Sequence, residues 1–219
     1  KITVYVVTAF SFIYAKPYLI ERGLYKSEYY VLCLFAVLGM MLMISAGNLT
    51  VLYLGLELVA LSSYGLVGLD RDNPIASEAA MKYFVLGAIA SGLLLYGMSM
   101  MYGATGSLQL DTIYLAAAQT TSPFMFKLGV VFILAGIAFK FGAAPFHMWL
   151  PDVYQGAPTA VTAFISSAPK LAAFAMAYRL LESAAGVTAS DWVPMLAGIA
   201  ALSLILGNLM ALVQSNFKR

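Results

Sequence analysis

Seven apolar stretches, each long enough to cross a bilayer, alternate along the chain with short polar segments. A membrane-spanning helix needs about 20 predominantly apolar residues. In lipid, only helices and closed barrels satisfy every backbone N–H and C=O group. We therefore predict an all-α, polytopic transmembrane helix bundle, with spans over residues 2–15, 29–47, 50–69, 74–102, 123–144, 158–182 and 190–214. The fifth span is expected to break near residues 141–146.

The ends and faces of these spans carry further local signals. Asn48 and Asn73 are expected to cap the third and fourth spans, with Gly47 in the left-handed conformation at the end of the second. In the fourth span we expect close helix packing at two pairs of small residues, Gly87/Ser91 and Ala88/Gly92. At the membrane interface we expect Asp152 to act as a cap or anchor and Arg179 and Glu182 to form an ion pair.

The composition excludes several classes of protein and site. Hydrophobic residues make up 62% of the 219 residues and charged residues only 10%, whereas soluble domains carry about 25% charged residues. One cysteine, Cys33, and one histidine cannot supply a disulfide, a structural zinc site or an iron–sulfur cluster. The net charge of +2 does not favour a nucleic-acid partner. We expect contacts with lipid and no cofactor held by this chain.

Lysine and arginine are unevenly distributed between the two predicted faces of the membrane. The positive-inside rule assigns the richer side to the cytoplasm. That side carries Lys16, Arg22, Lys26, Arg71, Lys82, Lys218 and Arg219, and the other carries Lys1, Lys127 and Arg179. The chain begins at Lys1 with no initiator Met and with an apolar helical pattern already under way, and we therefore expect it to be a segment of a longer protein.

Two short segments indicate an internal repeat. Residues 42–52 (LMISAGNLTVL) and 202–212 (LSLILGNLMAL) share five of eleven positions, including Gly-Asn-Leu, at an offset of 160 residues. Five spans begin within that offset, so the second copy would enter the membrane from the opposite side. Such inverted repeats are typical of transporters whose working site lies near the membrane midplane. A chance match between apolar helices is the alternative.

Three ionisable residues fall near the predicted midplane. At 1.5 Å of rise per residue, Glu57, Lys140 and Lys170 lie roughly 13, 16 and 18 Å from the interface at which each helix starts, close to the middle of a core about 30 Å thick. A lysine at the centre of a bilayer costs about 2.5–3.5 kcal/mol on insertion scales. An ion pair that only fixes helix packing is one explanation, but buried pairs add little net stability. Three such groups at one depth are typical of an ion or proton pathway.

The only histidine and three prolines lie beside the two buried lysines. His147 follows Lys140 by seven residues, about two helical turns, which makes it a candidate relay or a neutral imidazole bonded to a carbonyl. Pro145, Pro151 and Pro169 each leave free the carbonyl four residues earlier. At membrane depth such carbonyls need protein or water partners. We therefore expect water beside the lysines.

These residues resemble a known family. A mid-span Glu57, then Lys140 followed by P-F-H-M-W-L-P-D at 145–152 and A-P-T at 157–159, is similar to the antiporter-like subunits of proton-pumping NADH:quinone oxidoreductase, respiratory complex I. The sequence A-P-K-L-A-A-F at 168–174 is most similar to the bacterial N-type subunits. The resemblance covers nearly the whole chain.

The resemblance implies a fold with inverted five-helix repeats in a bacterial inner membrane. It implies three regions: 1–28 as the end of a preceding transmembrane helix and a cytoplasmic loop, 29–182 as the first repeat, and 183–219 as the first helix of the second. It also implies that Glu57 and Lys140 form a coupling pair, that Lys170 is the central relay, and that His147 belongs to the same hydrophilic axis.

By the same resemblance, the chain belongs to an enzyme complex that translocates protons. Its partners would be other membrane subunits, including further antiporter-like subunits, and those other subunits of the complex would hold the flavin, the iron–sulfur clusters and the quinone. Two alternatives stay open. One is a subunit of an Mrp-type cation/proton antiporter, and the other is a structural membrane subunit that does not pump.

Overall fold

The computed structural model describes all residues, 1–219, as a bundle of helices without strands. Seven helices are long and apolar enough to cross a membrane, as predicted. In chain order the α-helices are α1 (Ile2–Glu21), α2 (Ser27–Ser45), α3 (Leu49–Val67), α4 (Pro74–Thr105), α5 (Leu110–Ala117), α6 (Pro123–Phe141), α7 (Trp149–Gly156), α8 (Thr159–Tyr178) and α9 (Ala189–Leu212). The two short helices, α5 and α7, are not spans.

Asparagine side chains begin two of the spans. The Asn48 carboxamide oxygen accepts a hydrogen bond from the backbone N–H of Val51 at 2.8 Å, which satisfies one of the free donors at the start of α3. Asn73 caps α4 in the same way, with Pro74 as the first helical residue. Both caps were predicted. The left-handed conformation predicted for Gly47 is wrong, because α2 ends at Ser45 and continues into extended backbone.

The first helix is longer than predicted. We expected it to stop before Lys16 and Pro17, but it continues through Pro17 to Glu21. Packing accounts for the extra turn: Leu19 is fully buried, and the Tyr18 hydroxyl accepts a hydrogen bond from the Thr159 N–H at the start of α8, at 3.1 Å. Tertiary contacts therefore outweigh the cost of a proline inside the helix.

Pairs of glycines bring helices into close contact at two places. Gly39 of α2 faces Gly55 of α3, and Gly97 of α4 faces Gly129 of α6. A Cβ atom on Gly97 would lie 2.6 Å from the Gly129 carbonyl oxygen, well inside a normal contact. Without side chains at these positions the backbones approach closely, which is how helices associate when lipid provides no hydrophobic driving force.

One predicted packing face is not used. We expected Ala88 and Gly92 to form a close helix contact, but no heavy atom of another element lies within 4 Å of a Cβ placed on Gly92. Ala88 is exposed. Gly87 and Ser91, the second predicted pair, do face the bundle interior, but they accommodate polar side chains of α3 and not its backbone.

The predicted break in the fifth span is confirmed. α6 ends at Phe141, and Gly142 adopts the left-handed conformation (φ +70°) that glycine favours at a helix end. A non-helical turn then leads to α7. The sixth span also deviates locally, since α8 continues as a single π-helical segment, Arg179–Ala184. The predicted Arg179–Glu182 pair does not form, because the Arg179 guanidinium donates to the Ile44 carbonyl at 3.0 Å.

Ion pairs join charged residues at each end of the bundle. One end carries Arg71–Glu28 (3.6 Å) and Lys82–Asp152 (2.7 Å), and the opposite end carries Lys127–Asp191 (2.9 Å). This grouping matches the two faces inferred from lysine and arginine. We call the first one the basic end; its assignment to the cytoplasm stays a prediction, as does the division of the chain after residues 28 and 182.

The short helix α7 is fixed at the basic end by its aspartate. Asp152 accepts from Lys82 of α4 and pairs with Arg219 at 3.0 Å. Mainly because Lys82 donates this hydrogen bond, the pKa of the Asp152 carboxyl lies below its usual value. The interfacial anchor that we expected at Asp152 is therefore an ion pair between helices.

We predict that Gly97→Ala destabilises the bundle while Gly92→Ala does not. Alanine gains about 1 kcal/mol of helix propensity at either site. At Gly97 the added methyl group must separate α4 from α6, and such overpacking costs about 1–3 kcal/mol. Unfolding of the full-length protein in mixed micelles measures the difference. Equal stability of the two variants would contradict the close α4–α6 contact.

We predict that Asp152→Asn removes a stabilising contribution that depends on pH. A carboxyl whose pKa is lower in the folded than in the unfolded state stabilises the fold above about pH 4, and the contribution disappears as pH falls through the folded-state pKa. The free energy of unfolding should therefore differ most between parent and variant near neutral pH and converge in acid. Glu21→Gln, at an exposed carboxylate outside the ion pairs, is the control. A difference independent of pH would refute this.

Candidate functional site

Glu57 lies in the middle of α3 within a small group of hydroxyls. Its carboxylate accepts a hydrogen bond from Ser91 of α4, and the Ser91 hydroxyl is also 3.0 Å from that of Tyr53, one turn before Glu57. Ser91 is buried. From the sequence, Ser91 was predicted only to pack against a neighbouring helix, and no role was predicted for Tyr53. Both residues carry a hydroxyl near the predicted depth of the Glu57 carboxylate, and that shared depth was the signal that could have identified them.

Lys140 occupies the last turn of α6, two residues before Gly142. No carboxylate oxygen lies within 4.0 Å of its ammonium nitrogen, so Glu57 and Lys140 do not form a contact ion pair. Glu57 binds Ser91 of α4, and α4 packs against α6, the helix that carries Lys140. The structure therefore brings the predicted pair into one region and leaves space between the two charges.

Lys170 closes the broken end of α6. Its ammonium donates a hydrogen bond of 2.6 Å to the carbonyl of Phe141. This is the carbonyl that Pro145 leaves without an N–H donor, so the predicted need for a partner is met by the half-buried Lys170. Because Phe141 directly follows Lys140, the Lys170 ammonium binds the backbone of the residue next to Lys140.

His147 lies on the far side of the break, against α9. Its Nε2 atom is 3.2 Å from the sulfur of Met210, and its Nδ1 atom is buried without a partner. The ring is hydrogen-bonded to neither lysine. Ser203 of α9 accepts from the Ala144 N–H at 2.9 Å, which fixes the backbone next to the ring.

A cavity of about 170 Å³ adjoins His147, and its polar lining includes Ser203, Gln214 and Arg219. Because one water molecule takes up about 30 Å³ in the liquid, the cavity has room for several. A buried imidazole nitrogen without a partner is a site where water would be expected.

Aromatic rings hold α7 against the rest of the site. The Trp149 indole N–H donates to the Phe139 carbonyl at 3.0 Å, and its ring stacks on Tyr83 of α4 with centroids 4.6 Å apart. The residue after Phe139 is Lys140, so the indole orders the backbone that carries this lysine. Nowhere in the chain do three or more His, Cys, Asp or Glu side chains form a group that could hold a metal ion.

Comparison with known proteins agrees with this arrangement. A family model described as the transmembrane region of NADH:quinone oxidoreductase and Mrp antiporters matches residues 46–219. NADH-quinone oxidoreductase subunit N of Thiobacillus denitrificans is 55% identical over 100% of this chain and 46% of its own length. The subunit N of Xanthomonas euvesicatoria is 58% identical over 100% of this chain and 45% of its own. The chain thus spans somewhat less than half the length of these relatives.

Solved structures share the fold. A chain in respiratory complex I from Thermus thermophilus is 41% identical, with a TM-score of 0.75 over 90% of this chain and 42% of that one. A chain of the Mrp complex from Dietzia is 25% identical, with a TM-score of 0.73 over 84% of this chain and 34% of that one.

These comparisons confirm the resemblance inferred from the sequence. With its seven apolar helices and its bacterial relatives, the chain is a multi-pass protein of the bacterial inner membrane. By the match over residues 46–219 and the identity to its relatives, this chain belongs to the NADH:quinone oxidoreductase/Mrp antiporter family of membrane proteins.

Proposed function

We propose that the chain is part of a proton-translocating membrane subunit of NADH:quinone oxidoreductase, in which Glu57, Lys140, Lys170 and His147 move protons while the redox reactions take place in other subunits. The observation that carries the proposal is the hydrogen bond from Lys170 to the Phe141 carbonyl. It brings two lysines of different helices to one break in the membrane, and a structural role does not need two cations there.

The gap between Glu57 and Lys140 supports a role for Glu57 in controlling the lysine. A unit charge pair at 4 Å is worth about 4 kcal/mol at an effective dielectric constant of 20, and the energy falls as the charges separate. A change in the distance between α3 and α6 therefore changes how strongly Glu57 holds a proton on Lys140. Movement of Glu57 away would release that proton toward the break and Lys170.

His147 supplies the next candidate position along this route. It can both accept and donate a proton, and the adjoining cavity, which has room for water, extends to Gly142, the residue after the Phe141 that Lys170 binds. Its Nδ1 atom is buried and makes no hydrogen bond within the chain. In this proposal the proton passes from Lys140 to Lys170 and then to His147 at the face of α9.

The rest of the full-length protein and the neighbouring membrane subunits are the proposed partners. α9 has no buried residue in this chain, although Ser203 and Met210 on it contact the site. The relatives at 55–58% identity are named as subunit N of NADH-quinone oxidoreductase, which favours this complex over the Mrp antiporter at 25% identity. The flavin, iron–sulfur clusters and quinone would lie in other subunits.

We predict that Glu57→Ala lowers proton pumping of the assembled complex by about tenfold or more, while Glu57→Asp retains part of it. Alanine removes the charge that acts on Lys140, and a positioned proton-transfer group contributes roughly 10²–10⁴-fold. Pumping into inverted membrane vesicles, normalised to the amount of assembled complex, is the measurement. Glu21→Ala, at an exposed carboxylate of α1, is the matched control. Full pumping by Glu57→Ala would contradict the proposed role of Glu57 in proton transfer.

We predict that Lys170→Arg abolishes most of the pumping although it keeps the positive charge. Arginine can still donate to the Phe141 carbonyl, but it does not deprotonate in proteins. A fixed counter-charge would therefore tolerate arginine, whereas a proton carrier would not. The same vesicle assay applies, with Lys16→Arg at the exposed end of α1 as the control. A Lys170→Arg variant that pumps like the parent would show that the lysine is only a structural donor.

A further inference from the structure

Three tyrosines lie between Glu57 and the basic end of the bundle. Tyr64 follows Glu57 by two turns of α3, Tyr83 lies in the first half of α4, and Tyr154 lies in α7. The rings of Tyr64 and Tyr83 meet edge to face with centroids 4.8 Å apart. Tyr83 then stacks on Trp149, whose ring lies 6.1 Å from that of Tyr154. The three residues thus belong to one aromatic column across α3, α4 and α7.

The face of α4 that packs against α3 sets the positions of the polar groups in this column. Tyr83, Gly87 and Ser91 are spaced four residues apart and therefore lie on one face, over about 12 Å of helix. The Tyr64 hydroxyl occupies the space that a side chain on Gly87 would fill. One turn further along, Ser91 donates to Glu57.

This spacing is within reach of a single bridging water molecule. Positions four residues apart on a helix have Cβ atoms about 5–6 Å apart, and two O–H···O bonds of about 2.7–2.8 Å span that length. The Tyr64 hydroxyl, at the Gly87 position, therefore lies one helical turn along α4 from Ser91, whose hydroxyl binds Glu57.

The hydroxyl at the other end of the column has no partner. The Tyr154 oxygen is buried and makes no hydrogen bond, which is an unfavourable state for a polar atom. Burial raises the pKa of Tyr154 to about 12, so the hydroxyl keeps its proton at neutral pH. It lies two residues beyond Asp152, the residue that anchors α7 at the basic end.

We propose that the hydroxyls of Tyr64, Tyr83 and Tyr154, linked by water, carry protons between the basic end of the bundle and Glu57. In each step a hydroxyl donates its own proton to the next oxygen while it accepts one from the previous oxygen. The O–H bond that breaks is replaced by the one that forms, and no tyrosinate accumulates. This inference rests on the proposed function, since it identifies how protons reach the Glu57 that the proposal uses.

Removal of single hydroxyls tests the path, because phenylalanine keeps the ring and its packing. Tyr64→Phe and Tyr83→Phe, made in the full-length protein within the assembled complex, should each lower pumping by several-fold. Since water can replace a hydroxyl in part, the loss should be smaller than the roughly 10²–10⁴-fold of a positioned proton donor. Tyr96→Phe, on the same helix with a side chain that is 54% exposed, should pump like the parent.

The double variant Tyr64→Phe/Tyr83→Phe separates a path from loosened packing. Two positions in one series path should cost little more together than the more damaging single change, whereas independent structural losses should multiply. Parental pumping by both single variants would overturn the path. Failure of both to assemble would overturn it as well, because the hydroxyls would then serve the structure. If only one variant fails to assemble, pumping by the other decides.

The Glu57→Ala variant, assayed in parallel, distinguishes failure of the hydroxyl path from failure of the proposed proton-translocating function. Full pumping by Glu57→Ala would remove the proposed function and the path together. Loss of pumping in Glu57→Ala, combined with parental pumping in the two phenylalanine variants, would remove only the hydroxyl path.

Discussion

The hydrogen bond from the Lys170 ammonium to the Phe141 carbonyl is the interaction on which the centre of the structure depends. Pro145 deprives this carbonyl of its helical donor, and an unsatisfied carbonyl at membrane depth is costly. A lysine from another helix meets the need with a charged donor, which makes a strong hydrogen bond. The same contact that permits the helix to break also brings Lys170 to the backbone of the residue that follows Lys140.

The remaining backbone at the break is satisfied by other helices. Ser203 of α9 accepts from the Ala144 N–H, and the Trp149 indole donates to the Phe139 carbonyl. The break is therefore held from three sides, by α7, α8 and α9. An arrangement of this kind keeps irregular backbone away from lipid and leaves space beside His147 for water, which is the environment that proton transfer requires.

Close backbone packing and polar side-chain contacts occur at different helix interfaces of the bundle. The glycine pairs Gly39/Gly55 and Gly97/Gly129 bring the α2–α3 and α4–α6 backbones together. Between α3 and α4 the contact is made by side chains: Tyr64 fills the space over Gly87, and Ser91 binds Glu57. The interface that carries the carboxylate is thus the more polar one.

The sequence by itself determined the number of spans, the asparagine caps, the break after α6 and the choice of Glu57, Lys140, His147 and Lys170 as the ionisable residues of interest. These follow from local chemistry: hydropathy over about 20 residues, the missing N–H of proline and the cost of charge in lipid. Only the tertiary structure decided that α1 continues through Pro17, that Ser91 and not Lys140 contacts Glu57, and that His147 faces Met210. Such pairings depend on which helix faces are adjacent, because residues far apart in the chain meet only through the packing of the whole bundle, and no local pattern of apolar residues specifies that packing.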